Sequence, residues 1–177
     1  MQPILSKSKP VIGYYGALAR WFDYDLLISV ASLRPEYQFV LIGPDYDGTL
    51  ELSGILKYVN IHWLGVKPYE ELPHYLQYFN VATIPFIVNE ITHATSPIKL
   101  FEYMAGEKPI VITPMHESMH YPGVLVGGDA DQFAQQIDLA LQLREDQTYL
   151  ENLRQIAQEN TWKQRAKDIL SAIEKEL

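Results

Sequence analysis

Six short runs rich in Val, Ile, Leu, Tyr and Phe alternate with stretches of helical periodicity, and this alternation constrains the fold more than any other feature. The runs are 11–16, 38–43, 61–65, 81–85, 109–113 and 123–127. They are short of charge, bounded by Gly or Pro, and of strand length. Between them lie a helix over 23–33 with an Asp cap and a stop before Pro35, and a weak short helix over 50–56. A short helix over 69–78, despite Pro73, and a helix over 97–105 follow. From Asp129 onward the chain reads as helical, with breaks near Asp146 and near Asn160-Thr161. Low-charge strands alternating with helices imply a parallel sheet covered on both faces. The right-handed crossover rule then makes this an α/β fold, a Rossmann-like doubly wound sheet of about six strands with a helical tail. Ligands of such sheets bind in the loops after the strand carboxyl ends. The loops after Gly16, Gly43, Gly65, Pro85, Thr113 and Gly127 are therefore where a site is expected.

At 177 residues the chain suits one domain with a full core. Residues 1–9 read as a linker, 10–160 as the sheet domain and 161–177 as a final amphipathic helix. The net charge of −8 argues against non-specific nucleic-acid binding, though not against a small anion in one pocket. There is no cysteine, so disulfides and thiolate metal sites are excluded. The first ten residues lack a signal-peptide core, and no apolar run reaches the roughly 18 to 20 residues of a membrane helix. Met1-Gln2-Pro3-Ile4 just ahead of a buried-type strand suits a chain cut at a domain linker as well as a natural start.

The first loop, Gly13-Tyr14-Tyr15-Gly16-Ala17-Leu18-Ala19-Arg20, has glycines three apart, which is not the dinucleotide G-x-G-x-x-G fingerprint. Gly16 would let a ligand approach the backbone, with Arg20 as an anion partner; the plainer reading is a tight turn with Arg20 in solvent. The densest signal runs from Ser96 to Val111. Pro97 fits a first helical position, and the helix start with Lys99 nearby could hold an anion. Glu102 could accept two hydrogen bonds from a ribose cis-diol. The competing reading is a surface helix with a Lys99–Glu102 pair. His116-Glu117-Ser118-Met119-His120 spells H-E-x-x-H, but Pro114 and Pro122 leave barely a helical turn and no third ligand stands out. No metal site is expected. His93, in the loop after the fourth strand, could contact a ligand.

The run Pro97-Ile98-Lys99-Leu100-Phe101-Glu102-Tyr103-Met104-Ala105-Gly106-Glu107-Lys108-Pro109-Ile110-Val111 resembles the nucleotide-sugar-binding helix of GT-B glycosyltransferases, especially the family-4-like retaining enzymes (glycosyl transferases group 1). Its "P-x-K-x-x-E-Y-x-A" register is similar to polysaccharide and teichuronic-type transferases. Ordered matches from about residue 11 to 115 add to it. They include Phe39–Gly43, Ile61–Gly65, and Glu71–Leu76 followed by Phe79–Pro85. The resemblance implies that Glu102 binds the nucleotide ribose and that the backbone at Ser96 and Pro97 holds the diphosphate. It further implies that Val66 and Lys67 lie by the base and that Gly16 admits the diphosphate to the first loop. The sequence departs from the family where the first glutamate falls on Ala94, with Glu90 or Asn89 as a substitute from a longer loop. The usual Arg and Lys of the first loop fall on Ala17 and Phe22, leaving Arg20 and Lys99 as replacements.

The resemblance thus implies the C-terminal, donor-binding half of a retaining glycosyltransferase in polysaccharide or cell-envelope glycan synthesis. The substrate would be a UDP- or GDP-linked sugar, with no further cofactor. The acceptor, a sugar or lipid-linked glycan, would be held by a missing N-terminal domain on which residues 161–177 pack. No catalytic residue is assigned within this half, and the isolated domain is expected to be inactive. The expected location is cytoplasmic, and the parent protein could attach at the inner membrane face. A non-catalytic nucleotide-binding or interaction module and a GT-B-fold epimerase remain alternatives.

Overall fold

A computed structural model describes residues 9–95 and 97–176. Six strands, β1 (Val11–Tyr15), β2 (Gln38–Ile42), β3 (Ile61–Trp63), β4 (Val81–Ile84), β5 (Ile110–Ile112) and β6 (Val124–Val126), form one sheet. Every pairing is parallel, in the order β3-β2-β1-β4-β5-β6. The expected doubly wound sheet is present. β1, β2, β4 and β5 are buried throughout, as central strands covered on both faces must be.

The helices are α1 (Tyr24–Leu33), α2 (Thr49–Ser53), α3 (Leu72–Leu76), α4 (Glu90–His93), α5 (Lys99–Ala105), α6 (His116–Met119), α7 (Ala130–Leu143), α8 (Gln147–Glu159) and α9 (Trp162–Glu176). The sheet winds outward both ways from β1 and β4, so right-handed crossovers send α1 and α5 to opposite faces. α1 packs on α7 and α5 packs on α8. Asp23, Asp129 and Asp146 cap α1, α7 and α8, each accepting a first-turn N–H. Behind those caps Leu27 and Val30, Phe133 and Ile137, and Leu150 and Leu153 recur at helical spacing and enter the core.

Differences from the sequence expectation are local. The 69–78 helix is a 3₁₀ turn, Tyr69–Glu71, followed by the five-residue α3, because Pro73 supplies no N–H to a longer helix. The weak 50–56 helix is likewise split at Gly54, which takes a left-handed conformation. α4 is an addition: Asn89 accepts from the N–H groups of Ile91 and Thr92, while the Thr92 hydroxyl accepts from Asn89 N–H. α5 ends with Glu107 at φ +53, the left-handed position usually given to glycine. Its N–H donates to Met104 and its carboxylate pairs with Arg154 of α8.

A polar clamp ties α7 to the turn between α1 and β2. Arg34 Nε and Nη2 donate to Asp138 at 3.0 and 2.5 Å, and the Tyr37 hydroxyl adds a third bond at 2.9 Å. The Arg34 hydrogen bonds hold the Asp138 carboxyl below its ordinary value of 3.8. The stability this carboxylate contributes is therefore full above that value and is lost as pH falls through the lower folded one. Asp138→Asn should cost about 1–3 kcal/mol in urea unfolding near neutral pH. The difference from the parent should vanish in acid below the folded value; an equal difference at both pH values would show that the charge is not what acts.

Candidate functional site

Three glycines align along the carboxyl edge of the sheet. The ladder runs past the strand ends, with Gly16 N–H donating to Ile42 and Gly43 N–H to Gly65, both at 2.9 Å. The first three loops thus leave the sheet side by side. Gly43, at φ +142, has room for no side chain: a Cβ there would lie 1.9 Å from the Gly16 carbonyl oxygen. Gly16, at φ +139, keeps open a space that Lys99 fills. A Cβ at Gly16 would meet Lys99 Cε at 2.8 Å and Nζ at 3.2 Å.

Lys99 begins α5 and bends over the end of β1. Its ammonium lies 5.5 Å from the Tyr14 ring centroid and 5.2 Å from that of Phe86, within cation–π range of both. Among the described residues no carboxylate forms a salt bridge with it. Burial pushes its pKa below the ordinary lysine value, and the charge of Glu102 opposes that shift. A cation desolvated by aromatic faces and lacking an ion-pair partner is costly to keep unless an anion joins it.

Glu102 stands one turn further along α5 and accepts a hydrogen bond from the Tyr69 hydroxyl at 2.8 Å. Its charge, after burial, also raises the pKa of the Tyr15 phenol at the end of β1. Tyr103 anchors the buried side of the same helix: its hydroxyl accepts from the backbone N–H of Tyr15 at 2.9 Å, and the two rings meet edge to face. A cavity of about 570 Å³ opens over the outer face of α5, with Phe101, Glu102, Trp162 and Arg165 in its walls. A smaller one of about 290 Å³ lies between α5 and α3, reaching Tyr15 and Leu72.

Of the residues expected at the site, Gly16 and Lys99 are in contact, and Glu102 acts on Lys99 through its charge. Pro97 is buried just ahead of α5, and its carbonyl accepts from Leu100. Ser96 lies outside the described residues. Val66 is exposed after Gly65, and Lys67 extends over the Tyr75 ring, 5.7 Å from its centroid. Arg20 is not drawn to Lys99. It is exposed, its backbone N–H donates to Asp47, and its charge faces that carboxylate. Glu90 is exposed in the first turn of α4. Phe22, where the resemblance leads one to expect a cation, is a core residue packed edge-on to Tyr14, and the Ala17 carbonyl accepts from the Tyr14 hydroxyl.

The H-E-x-x-H segment forms only the four-residue α6. Its rings gather with one that the sequence did not connect to it: His116 lies 5.6 Å from His93 and 4.9 Å from His120. Among the described residues no group of three His, Asp or Glu could hold a metal ion. The Tyr69–Glu102 bond was also missed, because neither residue signals its partner in the sequence. The aromatic bed of Lys99 had one available cue, Tyr14 beside Gly16, but Phe86 had none.

Residues 9–142 match the family model described as glycosyl transferases group 1. The chain is 29% identical over 158 residues to a Bacillus subtilis (strain 168) protein named as the teichuronic acid biosynthesis glycosyltransferase TuaH. That match covers 86% of this chain and 40% of the relative, so the chain spans less than half of that protein's length. Its fold is similar to Anabaena Alr3699/HepE, solved in complex with UDP-glucose. The TM-score is 0.72 at 17% identity, over 97% of this chain and 51% of that one. It is also similar to the catalytic domain of the Helicobacter pylori cholesterol-α-glucosyltransferase, with TM-score 0.66 at 16% identity, covering 86% and 99% of the two chains. Among the described residues no helix is long and apolar enough to cross a membrane. The matched residues include all six strands and, between β4 and β5, the helix that carries Lys99 and Glu102, and the chain belongs to the glycosyl transferases group 1 family.

Proposed function

We propose that this chain is the nucleotide-sugar-binding half of a retaining glycosyltransferase that acts in polysaccharide or cell-envelope glycan synthesis. The observation that carries the reading is Lys99: a half-buried ammonium without an ion-pair partner among the described residues, set over Gly16 at the sheet edge where α/β folds bind ligands. A diphosphate is the anion that fits, because the carboxylate of Glu102 follows one turn later to receive the ribose hydroxyls. Val66 and Lys67, on the next loop but one, would face the base. Supporting this, the similar HepE structure holds UDP-glucose, and the Bacillus subtilis relative is named for teichuronic acid biosynthesis.

In the intact enzyme Lys99 would stabilise the negative charge that develops on the leaving diphosphate. The acceptor would be held by a second domain, on which residues 161–177 would pack, and the domain alone would bind donor and transfer nothing. One observation favours a non-catalytic nucleotide-binding module instead: the positions of the usual first-loop cations are Ala17 and the core residue Phe22.

The test is a calorimetric titration with UDP, GDP, ADP and their sugar conjugates, with NMR shifts to locate the site. Binding of one base, with shifts between Pro97 and Glu102, is expected. Glu102→Ala should weaken that binding by about 1.5–3 kcal/mol, the scale of hydrogen bonds to a charged group. Unchanged affinity in the variant would remove Glu102 from the ribose. Absence of binding at millimolar nucleotide would refute the donor reading for this chain.

A further inference from the structure

We propose that Tyr69 tunes nucleotide affinity at this site, as a built-in competitor that holds Glu102 until a ribose hydroxyl replaces it. The proposal rests on the nucleotide reading above. The Tyr69 hydroxyl donates to Glu102 Oε1 at 2.8 Å, the position a sugar hydroxyl would take. Tyr69 is 68% exposed and belongs to a single 3₁₀ turn, Tyr69–Glu71, that starts after Pro68. Such a side chain can leave without disturbing the core. Glu102, by contrast, is fixed on α5, whose other side is locked by Leu100, Tyr103 and Met104.

The two cavities along α5 explain what the pair does. Both are lined by Tyr69, Glu102 and Ala105, so the phenol and the carboxylate form the partition between them. When Tyr69 swings out, the cavities of about 570 and 290 Å³ join into one groove with Glu102 in its middle. A ligand that reaches Glu102 must first break the Tyr69 bond. Only a ligand that supplies new donors to the carboxylate recovers what is lost. A ribose with both hydroxyls does so, and a deoxy sugar does not. Because only ribonucleotides call on Glu102, the Tyr69 bond lowers their affinity alone and narrows the ribose-over-deoxyribose preference that an unengaged Glu102 would give.

The experiment compares the parent chain with Tyr69→Phe, each titrated with UDP and GDP and with their 2′,3′-dideoxy forms. Circular dichroism checks that the variant folds; the substitution removes one exposed oxygen. Ribonucleotide affinity should rise about three- to tenfold in the variant, the effect of one competing hydrogen bond. The dideoxy forms make no demand on Glu102 and should bind both proteins alike. In the Glu102→Ala background Tyr69→Phe should change nothing, since the two residues act through one bond. Equal or weaker ribonucleotide binding in Tyr69→Phe overturns the proposal by making Tyr69 a bystander or a direct contact. An equal gain for both kinds of nucleotide also overturns it, by reducing Tyr69 to a steric obstacle. Failure of parent and variant alike to bind any nucleotide refutes the donor reading and this inference with it, an outcome distinct from the other two.

Discussion

Lys99→Met should bind nucleoside diphosphates at least about thirtyfold more weakly than the parent while unfolding at a higher denaturant concentration. The two effects have one cause. The ammonium is taken out of water against the Tyr14 and Phe86 rings, and the cation–π attraction there, about 0.5–2 kcal/mol for each ring, offsets that desolvation only in part. Methionine matches the stem in length, keeps the contact over Gly16 and carries no charge to desolvate, so the empty fold should gain about 1 kcal/mol. The bound state loses the cation that stands against Gly16, at a cost of about 2–5 kcal/mol. Calorimetry with UDP and GDP, paired with urea unfolding, reads both quantities. A variant that is less stable and binds normally would mean that Lys99 is a structural residue and that the anion sits elsewhere.

Gly43→Ala should be the most damaging single-methyl change in the chain, costing about 4 kcal/mol or more and leaving little folded protein. Its Cβ would stand 1.9 Å from the Gly16 carbonyl oxygen, and neither partner is a side chain that could rotate away. The φ of +142 adds backbone strain. Relief requires β1 and β2 to part at the edge where Gly16 supports Lys99, so any folded remainder should also have lost nucleotide binding. Gly48→Ala is the matched control. Its φ is also positive, at +79, but nothing lies within 4 Å of its added Cβ, and it should cost only about 1 kcal/mol. Equal midpoints for the two variants in urea unfolding would show that strain alone, and not the collision with Gly16, sets the cost.

Much of this fold is written locally. The strands are short and poor in charge, and a glycine ends β1, β2 and β3. Asp23, Asp129 and Asp146 announce helices whose apolar residues then recur at helical spacing. These signals need only neighbours within a turn or two, so six parallel strands and the principal helices follow from reading along the chain. Boundaries slipped where a local feature competed, as at Pro73 and Gly54, or where a helix was a single turn, as in α4 and α6.

The candidate site was half legible for the same reason. Lys99 and Glu102 lie on one helix start, so their spacing and the family resemblance select them together. Their partners come from loops that only the sheet order brings near: Gly16 and Tyr14 from β1, Phe86 from the end of β4, Tyr69 from the turn after β3. Arg20 and Lys99 are equivalent as cations in the sequence. The structure separates them, because the Arg20 loop is stitched to the β2 loop through Leu18, Tyr46 and Asp47, while α5 docks its first turn over β1. The sequence by itself determined the sheet, its helices and the helix that carries the site, since periodicity and capping act over a few residues. Tertiary structure alone decided which cation is desolvated and what holds the carboxylate, since both depend on the docking of α5 against strands distant in the chain.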